Sequence, residues 1–130
     1  MSYSSFIICS INNYFNGEKK DFYISSCNRS SIIISYDQDI AYMDKFAVIG
    51  SARGEGLGAA MWNRMKADHK KMFWRSRSTN TINSFYKDVC DGFQKYDEWN
   101  IFWIGINDLK ELTGCIEYAV SQPETITYEK

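Results

Sequence analysis

The chain has 130 residues, which makes one domain over residues 1–130 at roughly 100–200 residues per domain. Hydrophobic residues make up 45%, ordinary for a globular chain of a size that buries about two-thirds of its unfolded surface. The net charge of −1 excludes a strong basic footprint for nucleic acid or an anionic membrane, and no apolar run approaches a transmembrane length. One composition feature stands out: four of the eight glycines, Gly50, Gly54, Gly56 and Gly58, crowd a single stretch.

In chain order, Ser5–Ile11 is apolar and suits a strand or part of a helix. Asn16-Gly17 is a turn signal. Phe22–Ser26 and Ser31–Tyr36 read as strands of a hairpin, with a polar connection between them. Ala41–Ile49 is a strand with Phe46 and Val48 on one face and Lys45, Ala47 and Ile49 on the other. The glycine-rich stretch follows. Leu57, Met61, Met65 and Met72 then keep a helical stripe, and the helix is expected to run to about Lys71. Met72–Ser78 reads as a strand, with Phe73, Arg75 and Arg77 on one face and Trp74 and Ser76 on the other. Asn80 is an expected N-cap for a short helix through Asn83, Tyr86 and Lys87. Asp91-Gly92 marks a turn, and Trp99–Ile106 is a strand. Asn107 or Asp108 can cap a last helix with the stripe Leu109, Leu112, Ile116 and Val120. Strands alternating with helices predict an α/β or α+β sheet with helices on its faces.

Cys9, Cys27, Cys90 and Cys115 are widely spaced, and no pair forms C-x-x-C. Met1–Ser10 has no basic residue and too short an apolar stretch for a signal peptide. The expectation is a cytoplasmic chain with reduced, mostly buried thiols. His69 sits among Lys66, Asp68, Lys70 and Lys71, which reads as a solvated helix face. With one histidine and no second ligand nearby, no metal is expected.

The loop Ser51-Ala52-Arg53-Gly54-Glu55-Gly56-Leu57-Gly58 falls directly between a strand and a helix. Glycine lets backbone N–H groups come close to a ligand. The helix start adds unpaired N–H groups and a partial positive charge, so the loop suits a pyrophosphate. The alternative is a plain strand-to-helix turn. The pattern is not G-x-G-x-x-G, and no acidic residue stands where a dinucleotide fold needs one. No G-K-[ST] follows, which excludes a P-loop. What remains, Arg53-x-x-Gly56-x-Gly58, resembles the coenzyme A loop of the GNAT acetyltransferases.

The resemblance extends further. Tyr42-Met43-Asp44-Lys45-Phe46-Ala47-Val48 resembles the Y-L-D-K-F-x-V strand of the vertebrate-like N-acetylglutamate synthases. Phe73-Trp74-Arg75-Ser76-Arg77 looks like their F-W-R-S-R strand. Asn80-Thr81-Ile82-Asn83-Ser84-Phe85-Tyr86 is similar to their N-P-x-N-x-x-Y segment, with Thr81 where the family usually has proline. The resemblance covers roughly Tyr36 to Leu112, and it takes the chain as the acetyltransferase part without the family's amino-acid kinase domain.

It implies a GNAT fold, a mixed central sheet in which two splayed parallel strands hold acetyl-CoA. It implies transfer of acetyl from acetyl-CoA to the amino group of L-glutamate, the step that opens arginine biosynthesis, with no metal. By resemblance, Phe46, Ala47, Val48, Arg53, Gly54, Glu55, Gly56, Leu57, Gly58 and Asn83 bind the coenzyme. Lys45, Arg75 and Arg77 would meet the two carboxylates of glutamate. An arginine can grip a carboxylate bidentately, and Arg75 and Arg77 project to one side of their strand. The alternative is three surface cations. Tyr86 is implied as the general acid for the leaving thiolate and Asn80 as a group that orients substrate or water. For Tyr86 the alternative is a helix tyrosine packed on the sheet. Two further functions stay open: an acetyl-CoA-binding regulatory module with weak catalysis, and a GNAT enzyme with another amine acceptor. The aromatic strand Trp99–Ile104 suits either core or a homodimer surface.

Overall fold

The computed structural model describes residues 6–12, 19–25, 30–48 and 57–123. The elements are β1 (Phe6–Asn12), β2 (Lys19–Ser25), β3 (Ser30–Asp37), β4 (Ile40–Val48), α1 (Leu57–Asp68), β5 (Met72–Arg77), α2 (Asn83–Val89), β6 (Gly92–Tyr96), β7 (Trp99–Ile104) and α3 (Leu109–Ser121). The strands form one mixed sheet in the order β1-β2-β3-β4-β5-β7-β6. Only β4 and β5 run parallel; the other neighbours are antiparallel. The apolar stretch before Ile11 is a strand over Phe6–Asn12, and the hairpin read from Phe22 to Tyr36 is present as β2 and β3. The Asn16-Gly17 turn lies outside the described residues.

Alternation along the strands sorts the core onto two faces. One face carries Ile32, Ile34, Met43, Trp74, Phe102 and Ile104, covered by Met61, Trp62 and Met65 of α1 and Tyr86 of α2. The other carries Tyr42, Phe73 and Ile101, covered by Cys115 and Ala119 of α3. Such a two-sided sheet buries both faces of its central strands, which explains the dense run of large side chains in Met72–Trp74.

Four expectations need correction. Helix α1 ends at Asp68, short of Lys71, and Met72 opens β5, as the strand reading had it, and does not continue the helical stripe. Met72 is fully buried between Ala41 and Ile104 in the sheet, a better site for it than a fourth helical turn. The connection is fixed by Ala41 N–H donating to Lys71 O at 3.2 Å. Gly105 then passes beneath it at φ +76°, where an added Cβ would sit 1.9 Å from Lys70 O. Leu109, placed on the stripe of the last helix, is 77% exposed; the helix buries Cys115 and Ala119 instead. Of the two residues offered as its cap, Asn107 and Asp108, the cap is Asp108, its Oδ2 accepting from Glu111 N–H at 2.9 Å. His69 does not lie on a solvated face. It is half-buried, its Nε2 3.1 Å from the Tyr23 hydroxyl and its ring packed on Tyr36. The Tyr23 hydroxyl also donates to Asp68 at 2.7 Å, so the cluster ties the end of α1 to β2 and β3.

Fourth, Asn80 is not the N-cap of α2. The helix begins three residues later, behind Ile82. Asn80 Oδ1 accepts from Ile82 N–H at 3.1 Å and its carbonyl accepts from Asn83 N–H at 3.1 Å. The asparagine closes a turn two residues on, the other local bond its side chain can make.

Candidate functional site

The site begins with a change of register. Along β3 and β4 the pairing steps from Ile34↔Met43 to Ile33↔Lys45, leaving Asp44 as an extra residue. An extra residue bends and twists a strand. Here it does so where β4 leaves β5. The parallel ladder joins Ala41 to Met72, Tyr42 to Phe73 and Met43 to Trp74, and goes no further. Beyond it, β4 continues against β3 and β5 continues against β7. The sheet is therefore split at its centre, and the β5-facing backbone of residues 45–48 has no ladder partner on β5. Unspent backbone N–H and C=O groups must be satisfied by water or by a ligand.

The bulge also resets the alternation. Phe46 points to the α1 and α2 side, its ring 5.6 Å from Trp62 and 6.5 Å from Phe85. Lys45 and Ala47 are exposed and point to the α3 side. For Val48, Leu57 and Gly58 the backbone alone is described, and Arg53, Gly54, Glu55 and Gly56 lie outside the described residues. Helix α1 starts directly after them and has no acidic residue in its own first turn, which leaves the positive end of the helix free of a carboxylate from the helix itself.

On the α3 side, Arg75 and Arg77 share one aromatic platform. Their guanidinium carbons stand 3.9 Å and 4.6 Å from the ring centre of Trp99. Arg75 also donates to the carbonyls of Ala119 and Pro123, each at 3.0 Å, so it holds the C-terminal end of α3. Arg77 pairs with Glu98 at 2.9 Å. Lys45 shares this face of the sheet but lies on the other side of the split.

On the opposite side, Tyr86 is buried among Trp74, Phe102, Trp62 and Phe85, with ring centres 5.2–6.0 Å away. Burial alone pushes its hydroxyl pKa well above the ordinary tyrosine value. Asn83 is one helical turn back. Its Nδ2 donates to Arg77 O at 2.8 Å, and its Oδ1 is buried without a partner among the described residues. Asn80 is exposed at the turn that links β5 to α2.

Six of the described residues singled out from the sequence thus fall into two groups on opposite faces of one split. Lys45, Arg75 and Arg77 take one face; Phe46, Asn83 and Tyr86 take the other. Sequence reasoning missed Trp99 as the common platform of the two arginines. The Trp99↔Arg77 pairing that would have revealed it depends on a strand order no local pattern encodes. Among the described residues, no helix is long and apolar enough to cross a membrane.

A family model described as NAT, the N-acetyltransferase of N-acetylglutamate synthase, matches residues 10–122. An acetylglutamate kinase of Xylella fastidiosa is 38% identical over 104 residues, 80% of this chain and 25% of that protein. The mitochondrial N-acetylglutamate synthase of Danio rerio is 36% identical over 112 residues, 84% of this chain and 21% of that protein. The chain therefore spans about a quarter of the length of the curated relatives it matches. Among solved structures, a GNAT-family acetyltransferase of Bacteroides thetaiotaomicron matches with TM-score 0.57 and 13% identity, over 76% of this chain and 69% of that one. The ribosomal-protein-S18-alanine N-acetyltransferase of Escherichia coli matches with TM-score 0.51 and 13% identity, over 71% and 72%. At these identities the likeness is one of fold.

Proposed function

Because the chain belongs to the N-acetyltransferase family of N-acetylglutamate synthase and has the GNAT fold, we propose that it moves acetyl from acetyl-CoA to the α-amino group of L-glutamate. Residues 1–130 act as one N-acetyltransferase domain in this reading. The observation that carries it is the split between β4 and β5, with cations on one face and a buried tyrosine on the other. Two substrates can meet through such an opening, so transfer is direct, within a ternary complex and without an acyl-enzyme.

The cysteines support that economy. Among the described ones, Cys90 is half-buried and Cys115 buried, and burial pushes both thiols upward in pKa, the reverse of an activated nucleophile. The coenzyme is read by Arg53, Gly54, Glu55, Gly56, Leu57 and Gly58 at the start of α1, by the open β4 edge at Phe46, Ala47 and Val48, and by Asn83. In this reading a β4 N–H near Val48 holds the thioester carbonyl and its developing oxyanion, a role usually worth about 3–4 kcal/mol of barrier. Arg77, Lys45 and Arg75 take the glutamate carboxylates. Tyr86 gives the departing thiolate its proton, and Asn80 orients substrate or water.

One observation favours a second reading. Arg75 already spends two hydrogen bonds on α3 carbonyls, which suits a domain that binds acetyl-CoA for control and turns glutamate over slowly. A third keeps the chemistry and changes the amine. Purified chain with acetyl-CoA and a panel of amino acids separates them. Glutamate-dependent CoA release is expected. CoA binding without turnover supports the regulatory module, and release with a different amine supports the third.

A further inference from the structure

Ser76 and Asn100 face each other across the β5–β7 ladder. Alternation puts both on the face of Trp74 and Phe102, beneath α2. They are 6% and 2% exposed. Ser76 Oγ and Asn100 Oδ1 have no hydrogen-bond partner among the described residues, and the same is true of Asn83 Oδ1. Asn83 reaches this place from above. Its Nδ2 donates to the carbonyl of Arg77, the residue after Ser76, which fixes the nitrogen end of the amide and leaves the buried oxygen as its unpartnered end.

Three buried oxygens without a partner among the described residues therefore belong to one paired position of β5 and β7 and to the first residue of α2, and of the three only the serine hydroxyl has a proton to donate. A buried acceptor left empty is destabilising. Three such losses would consume much of the small margin that holds a domain together. One water resolves the shortage, giving two hydrogens to the amide oxygens and accepting the serine proton. Three polar partners are what a buried water typically has.

The helix needs such an anchor. Its N-cap, Ile82, supplies no side-chain hydrogen bond, and its buried residues are Asn83 and Tyr86, three apart on one face. We propose that Ser76, Asn83 and Asn100 form a binding site for one internal water, and that this water sets the first turn of α2 and with it the position of Tyr86. Ser76 and Asn100 are positioning residues, and Asn83, which the acetyl-transfer reading also gives to the coenzyme, links them to the helix. The effect on Tyr86 rests on the acetyl-transfer reading; the water site does not.

A high-resolution crystal structure of the chain should show a water within hydrogen-bonding distance of all three oxygens, and a dry void there overturns the site. Asn100→Leu gives an independent readout. With the water present it strands Asn83 Oδ1 and lowers the melting temperature, and adding Ser76→Ala lowers it by less than the two single losses combined. A dry cluster predicts the opposite, since leucine would replace an unpaired oxygen and the melting temperature would hold or rise. For positioning, Asn100→Leu should lower kcat by about tenfold or more with the acetyl-CoA KM unchanged, as small misplacements of a reacting group do. Ser76→Thr, which keeps the hydroxyl, should retain kcat. A lowered melting temperature with unchanged kcat overturns the positioning role and leaves the water. If the unaltered chain releases no CoA with any amino acid, the acetyl-transfer reading fails, and density and melting still decide the site.

Discussion

The general-acid role proposed for Tyr86 turns on where its ring is packed. Burial raises its pKa above the ordinary value of about 10, so the hydroxyl is protonated throughout the neutral range, and the same burial makes it a weaker proton donor than a free tyrosine. Tyr86→Phe should lower kcat by about 100-fold or more, the usual share of a general acid, while acetyl-CoA affinity stays within a factor of two or three. Steady-state kinetics with direct coenzyme binding measure both, and an unchanged kcat removes Tyr86 from the chemistry. The two arginines divide differently. Arg75→Ala breaks two charge-assisted bonds to the end of α3 and should cost about 2 kcal/mol of stability in urea unfolding. Arg77→Ala loses an ion pair whose side chains are 36% and 62% exposed, worth about 0–1 kcal/mol. Both should raise the glutamate KM. If Arg75→Ala changed only the affinity for acetyl-CoA, its assignment to a carboxylate would be wrong.

At the scale of elements, the joints around the split are where substitutions should tell most. Gly105→Ala forces a positive φ on alanine and drives its Cβ into Lys70 O, so it should cost about 3 kcal/mol or more, the range of a strained buried position. Asp108→Ala removes only the cap of α3 and should cost about 1 kcal/mol. Comparing the two by thermal unfolding ranks the β7–α1 crossing against a helix end; equal losses would mean that Gly105 relaxes at little cost. The same elements show what the sequence made legible. The faces of β5 could be read from Phe73 to Arg77 because a half-polar strand announces its alternation. The start of α3 could be read because Asp108 is a cap with its helix directly behind it. Strand β6 could not, since its residues from Phe93 to Tyr96 are exposed and leave no periodic signal. The end of α1 was misread because Met72 fits a helical stripe as well as it fits a strand core. The split itself was implied by resemblance and not by pattern, because a bulge at Asp44 depends on pairing with β3. The glycine loop, the plainest signal in the chain, lies outside the described residues.

For the whole molecule, the two faces of the sheet share one electrostatic preference. Tyr23, Tyr36 and Tyr86 on the α1 and α2 side, and Tyr42 on the α3 side, all have pKa values raised first by burial. Hydrogen bonds to Asp68 and Asp21 add to the rise at Tyr23 and Tyr36. Burial pushes the Cys115 thiol up to about 11. In the unfolded chain these groups ionise at about 10 for tyrosine and about 8.5 for cysteine. Each folded value lies above its unfolded one, so above about pH 8.5 the folded chain binds more protons than the unfolded chain does. Stability from these groups is therefore complete below that point and is lost as pH rises through the folded values. The urea midpoint should be flat from about pH 7 to 8 and fall steadily above about pH 9. Tyr86→Phe should flatten part of the fall above pH 10, because it deletes one of the groups that the unfolded chain ionises first. A midpoint unchanged up to pH 11 would mean that the tyrosines ionise as freely in the fold as outside it. That result would also deny Tyr86 the dry surroundings that keep its proton in place for a departing thiolate.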